Sequence, residues 1–275
     1  MAEQKADEGA SSFRLEYLGG FGGRGEPIKL AASLSGIAFD SKMITVAQRQ
    51  ALKAEGKQVW SGPPDIVVLD RDGKDVAPLG QSNAILRLLG RCANGNKCVR
   101  RICVCAVCAG KKVEPRLYPE NALEAAFVDG IMDSQEDVLN AFVHQFFVVQ
   151  DAEAKKAGAK KLIEEAFPFW FGRFEARLAE NVKRGNDAGY FVGAALSIAD
   201  LKSYTNFCMF RSALADAGIA ELLAKYEGIT KFLGVMDKDE KIKAALAAYQ
   251  ANYAAFDGGK GKTLFKHAGK YLSLA

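Results

Sequence analysis

Three groupings of residues in this chain have types and spacings that could do chemistry. Near the start, EYLGGFGGRGEP ends a hydrophobic strand on Tyr17 and follows it with five glycines before Glu26. Glycines remove side chains where a substrate and the backbone must approach closely. The plainer reading of Tyr17 is a strand residue whose ring fills the core and whose hydroxyl reaches water. Further on, Ser82 opens a helix, and a serine there presents its hydroxyl and the following N–H groups to an anion, with the helix dipole adding to the attraction. Plain N-capping uses the same residue. In VDGIMD, Asp129 and Asp133 stand one helical turn apart. That spacing suits a metal or an acid–base pair, although a solvated acidic face is commoner.

A fourth cluster is less ordered. Of six cysteines, Cys92, Cys98, Cys103, Cys105 and Cys108 fall in one short segment, with Cys208 apart from them. Thiolates this close can ligate zinc, but the spacings do not repeat a paired C-x₂-C pattern and no histidine lies nearby, so no metal is expected. An insertion in an interdomain linker, residues 92–117, is the alternative. A retained intron is another, which a cDNA lacking the segment would support. His144 and His267 match no catalytic pattern.

Composition narrows the class of protein. A chain of 275 residues, 49% hydrophobic and 25% charged, can bury one large core or two modest ones. A net charge of +4, with the two signs interleaved, builds no face for a phosphate backbone, so nucleic acid is not an expected partner. The opening residues 1–12 are polar and lack an apolar run. They are expected to be a disordered tail rather than a secretory or transit signal. No window is apolar for the roughly 18 residues of a membrane helix, so a soluble, cytoplasmic protein is expected.

Two kinds of pattern position the reactive residues. The first part of the chain reads β, α, β, α, β, β, α. Phe13 to Leu18 is a strand, Pro27 suits the first turn of a helix ending near Gly36, and Ile37 to Val46 is a second strand. A weak helix follows through Lys53. Asp72-Gly73 then turns a hairpin between Asp65–Leu69 and Lys74–Leu79, and the helix from Ser82 carries Ile85, Leu86, Leu88 and Leu89. From Tyr118 onward apolar residues recur at helical spacing: one long helix through Phe147, a second over about Ala154 to Val182, and a third opened by Ser197 and Asp200 as a capping box.

YLGGFGGRGEPIKL, GQSNAILRLLGR and YFVGAALSIADL, in that order and separation, resemble a cytosolic glutathione transferase. Among its classes the resemblance is to the tyrosine type, sigma-like and related to mu, pi and alpha. It covers residues 13–91 and 118–245. It implies a thioredoxin-like α/β domain that binds glutathione, over 13–91, followed by an all-helical bundle domain, over 118–275 with a C-terminal extension. It implies that Tyr17 donates a hydrogen bond to the glutathione sulfur and stabilises the thiolate. Glutathione, as co-substrate, would be held by Gln81 and Ser82 at its γ-glutamyl end, Lys53 at its glycine carboxylate, and Arg24 of the first loop. Asp133 would reach it across the interface of a homodimer. Conjugation to a small-molecule electrophile, as in detoxification, peroxide reduction and isomerisation all remain open.

Departures from the family pattern bear on that expectation. The loop from Tyr17 to Glu26 is one residue longer than the family's usual loop, and Arg49 stands where sigma-like members carry a tryptophan. The cis-proline before the third strand, whose backbone pairs with glutathione, aligns with Val67; Pro63-Pro64 could take the role through a shifted loop. These departures favour a non-catalytic member of the fold, a crystallin-like scaffold or ligand carrier, as the alternative function.

Overall fold

A computed structural model describes residues 12–18, 23–37, 39–57, 64–69, 73–91, 117–145, 149 and 151–256. The amino-terminal part is a four-stranded mixed sheet in the order β2-β1-β3-β4. Strand β1 (Ser12–Leu18) runs parallel to β2 (Phe39–Ile44) and antiparallel to β3 (Asp65–Leu69), which pairs antiparallel with β4 (Asp75–Gly80). Alternation along β1 sends Phe13, Leu15 and Tyr17 into the core and leaves Arg14 and Glu16 on the opposite, polar face. There Arg14 forms a two-pronged bond to Asp75 of β4, at 3.0 and 2.8 Å.

Local rules place the helices of this half. A short 3-10 turn, Gly23–Gly25, leads into α1 (Glu26–Leu34), with Pro27 in the first turn where its missing N–H costs nothing. Thr45 caps α2 (Val46–Ala54) in a reciprocal box with Gln48, a signal that stands in the sequence as T-V-A-Q. Helix α3 (Ser82–Arg91) follows β4 after a single residue.

The second half has helices and no strand among its described residues. Asn121 caps α4 (Ala122–Val143) by accepting from the N–H groups of Leu123 and Glu124. The helix expected over Ala154 to Val182 is broken in two, α5 (Ala152–Lys161) and α6 (Phe167–Lys183), by a π-helical turn at Leu162–Ala166. Pro168 is the physical reason: it has no N–H for the carbonyl four residues back, so the ladder must reset just ahead of it. Helix α7 (Ile198–Ala213) is followed by a 3-10 turn at Ala215–Ala217, then α8 (Ile219–Leu223), α9 (Glu227–Lys238) and α10 (Glu240–Phe256).

Helix α7 is the axis of the molecule. From Ile198 to Phe207 every residue is buried, and the helix packs against α1 and α3 on one side and α4 on the other. Its start is fixed by Asp200, whose carboxylate accepts from the N–H of Phe191 at 2.9 Å, the N–H of Ser197 at 2.8 Å and the Ser197 hydroxyl at 2.6 Å. Around it Phe142, Phe167, Phe171, Phe174, Phe207, Phe210 and Phe232 pack edge-on or stacked, which gives the helical half its core.

Candidate glutathione site

The strand register brings the widely separated sequence motifs to one rim of the sheet. Glu16 pairs with Asp65, Asp65 pairs with Gly80, and Leu18 pairs with Ile44. One residue beyond those pairs, on the same edge, lie Tyr17 at the end of β1, Pro64 before β3 and Gln81 after β4, with Ser82 next to it. Gln81 is the one described non-glycine residue with a positive φ, 73°. Left-handed backbone at a glutamine is costly and accumulates where structure must aim a group. Here it turns the chain from β4 into α3, so that the buried Ser82 begins the helix at the rim.

Tyr17 is held from two sides. Its ring lies flat against Gly25: a Cβ there would stand 2.6 Å from Cδ1 and 2.9 Å from Cε1. Its hydroxyl lies 3.5 Å from where a Cβ on Gly23 would be, with the Met209 sulfur of α7 beside it. Gly23 carries φ 68°, so the turn needs its freedom as well as its lack of a side chain. Burial pushes the phenol up to about 12, with Arg24 and the backbone N–H groups of Arg24 and Gly25 acting against that shift. The hydroxyl therefore stays protonated at neutral pH. A protonated phenol can donate a hydrogen bond.

The remaining expected site residues fall in different places. Arg24 does not point along the rim: its Nε donates to Glu136 of α4 at 2.6 Å, and its other arm donates to Asn140. Lys53 is exposed in the last turn of α2, roughly 10 Å along the helix from the rim-side start. Val67 lies mid-strand, opposite Arg14 and Pro78, three residues along β3 from Pro64. The sequence offers Val67, by alignment on the Asp-Gly turn, and Pro63-Pro64 for the position that pairs with glutathione, and Val67 stands away from the rim. Pairing places Pro64 beside Gln81 instead. Asp133 is brought close to Ser82, since its carboxylate accepts from the amide of Asn83 at 2.7 Å. Asp129 accepts from Arg87 at 2.7 Å and from the Tyr118 hydroxyl at 3.0 Å, which makes it a structural acceptor.

Three groups escaped the sequence reading. Glu136 joins two cations, Arg24 at 2.6 Å and the buried Lys202 at 2.6 Å. Burial would push its carboxyl up, but Lys202 and Arg24 outweigh that and hold it below the usual range. Lys202 stands within an otherwise buried helix, where a capping signal was legible but an interior cation had none. Asp65, at the rim, has an unpartnered buried oxygen, and burial together with the nearby Glu16 pushes its carboxyl up to about 6. Residues 1–11, Gly19 to Gly22, Pro63, the cysteine-bearing segment 92–116 and His267 lie outside the described residues. Among the described residues no His, Cys, Asp and Glu grouping could hold a metal, and no helix is long and apolar enough to cross a membrane.

Residues 136–248 match the family model of the glutathione S-transferase C-terminal domain. The match takes in Glu136, Asp200 and Lys202 but none of the sheet rim. No curated protein sequence matches the chain. Among solved structures, a prostaglandin synthase D of Nilaparvata lugens is 25% identical, with 86% of this chain and 97% of that one covered at a TM-score of 0.62. A Pi-class glutathione S-transferase of Onchocerca volvulus is 20% identical, covering 88% and 95% at 0.63. A sigma class enzyme of Fasciola hepatica is 20% identical, covering 86% and 96% at 0.64. The chain thus has the fold of the glutathione S-transferases, a mixed four-stranded sheet with helices followed by a helical domain, and its helical half carries that family's sequence signature.

Proposed function

We propose that the protein is a tyrosine-type glutathione transferase, in which Tyr17 stabilises the thiolate of glutathione for attack on an electrophilic small molecule. The observation that carries this reading is the single rim on which Tyr17, Pro64, Gln81 and Ser82 meet. A tripeptide laid along that rim has its γ-glutamyl carboxylate at the start of α3, where the Ser82 hydroxyl, the following N–H groups and the helix dipole all favour an anion. Its cysteine backbone pairs with the chain beside Pro64, and its sulfur reaches the Tyr17 hydroxyl.

The chemistry follows from a proton count. A free thiol with a pKa near about 8.5 is only a few per cent ionised at neutral pH. A phenol that donates to sulfur stabilises the charged form over the neutral one, because a hydrogen bond to an anion is roughly twice as strong. A shift of about two units multiplies the nucleophile more than tenfold. The sulfur lone pair then forms the new bond to the electrophile. In a substitution the bond to the leaving group breaks and that group departs with the electron pair and the negative charge; in an addition the acceptor's π pair becomes an anion that takes a proton from water.

Asp133 keeps a largely exposed carboxylate; in this reading it takes the α-amino group of a glutathione bound by a second copy of the chain, which requires a homodimer. Lys53 supplies a cation to the glycine carboxylate only if the tripeptide extends along α2. Arg24 acts through Glu136 rather than on glutathione directly. Tyr17→Phe tests the mechanism: turnover with a chromogenic electrophile should fall about a hundredfold while glutathione affinity stays within about twofold. Unchanged turnover in an active protein would leave the fold's assignment standing and remove Tyr17 from the chemistry.

A further inference from the structure

The rim has two halves, and they are not joined by the sheet alone. One half is the turn Gly23–Gly25, which packs on the Tyr17 ring and hydroxyl. The other is the start of α3, Ser82 and Asn83. Between them, from the helical domain, comes the side chain of Lys202, with 1% of its surface exposed. Its ammonium donates to the Asn83 side-chain oxygen and, at 2.6 Å, to Glu136. The second oxygen of Glu136 accepts from Arg24 within the glycine turn. The Asn83 amide nitrogen donates onward to Asp133, so both ends of that side chain are used and its orientation is fixed.

We propose that Lys202 is a positioning residue that sets the separation between the sulfur end and the γ-glutamyl end of the glutathione site, by clamping the Arg24 turn and the start of α3 to one buried ammonium. This rests on the reading of the rim as a glutathione site. The argument is one of cost. A buried ammonium is expensive to desolvate, and replacing such a group with an apolar one of similar volume is often neutral for stability. Its retention here is explained by geometry: an ammonium donates in three directions and can join two acceptors from two domains, which a methyl group cannot. Without it Glu136 still holds Arg24, but that pair does not reach Asn83, and among the described residues the side-chain bonds left between this stretch of α3 and α4 are those of Asn83 and Arg87 to Asp129 and Asp133.

The test is a double-mutant cycle on the full chain. Glutathione affinity is measured by calorimetry in the wild type, Ser82→Ala, Lys202→Met and the double variant, with thermal unfolding alongside. The clamp predicts that Lys202→Met weakens glutathione binding by about ten- to a hundredfold, as expected of a displacement near 1 Å. It also predicts that Ser82→Ala costs much less in the Lys202→Met background than in the wild type, because Ser82 is already out of place. Asn83→Ala, at a half-buried position, breaks the same link from the other side and decides the matter if Lys202→Met fails to fold. Additive effects with wild-type affinity in Asn83→Ala would overturn the clamp while leaving the site intact. A wild type that binds no glutathione would overturn the site and the clamp together.

Discussion

Replacing Gly25 with alanine isolates the contact that orients Tyr17. At φ −78° and ψ −30° Gly25 is in the right-handed region, so alanine is welcome to the backbone and the whole penalty comes from the new methyl group. That methyl would stand 2.6, 2.9 and 3.1 Å from three carbons of the Tyr17 ring. Carbon atoms rest at about 3.5–4.0 Å, so the ring must retreat by roughly 1 Å. Strand β1 cannot slide, because β2 and β3 hold it on both edges, and the ring has to tilt. Overpacking of this kind costs about 1–3 kcal/mol, and a hydroxyl misplaced by 1 Å can cost about a hundredfold in rate. Gly172→Ala is the control: it lies within α6 with nothing within 4 Å of the added carbon, and should stabilise by up to about 1 kcal/mol. Initial rates of glutathione conjugation and thermal unfolding read both. Wild-type rate and stability in Gly25→Ala would refute the idea that this glycine fixes the ring.

Other outcomes follow from the same geometry. Asp200→Ala leaves two buried N–H groups and a hydroxyl without their acceptor and should destabilise by about 3–5 kcal/mol in denaturant unfolding, whereas Asp200→Asn, which keeps an acceptor, should lose clearly less. Asp65 has a folded-state pKa near 6, raised first by burial and then by Glu16, so the native protein binds the extra proton. Its contribution therefore falls as pH rises from about 4 to 6, and Asp65→Asn should stabilise by roughly 1 kcal/mol at pH 7, with little effect at pH 4. Equal stabilisation at both pH values would show that its charge is not the cause. Gly90→Ala should destabilise by about 1–3 kcal/mol, because its methyl would stand 2.8 Å from Ile198 at the start of α7 and 3.1 Å from Tyr118.

The parts of this structure that are written locally were legible in the sequence. The order of strands and helices, the hairpin, the helix start at Ser82 and the Ser197–Asp200 cap each depend on a few neighbouring residues, and each is where its local signal put it. Break points that depend on one residue acting at a distance were harder. The apolar spacing carries one helix from Ala154 to Val182 straight through Pro168, yet the α-helix before that proline ends in a π turn. Val67 was aligned by counting from the Asp-Gly turn, and only pairing of Asp65 with Gly80 shows that Pro64 stands at the rim. Glu136 and Lys202 are 66 residues apart and carry no shared motif, so their ion pair exists only once α4 and α7 are packed. A buried lysine looks like any other lysine in a sequence.

The central claim is that the Tyr17 hydroxyl, kept protonated by a pKa near 12, stabilises a bound thiolate. Ultraviolet titration of glutathione bound to the wild type and to Tyr17→Phe tests it most directly, since it needs no second substrate. The account predicts a bound-thiol pKa well below the free value of about 8.5 in the wild type, moving back toward it when the hydroxyl is removed. Glutathione that binds with an unperturbed thiol, or a low pKa that survives Tyr17→Phe, would contradict it.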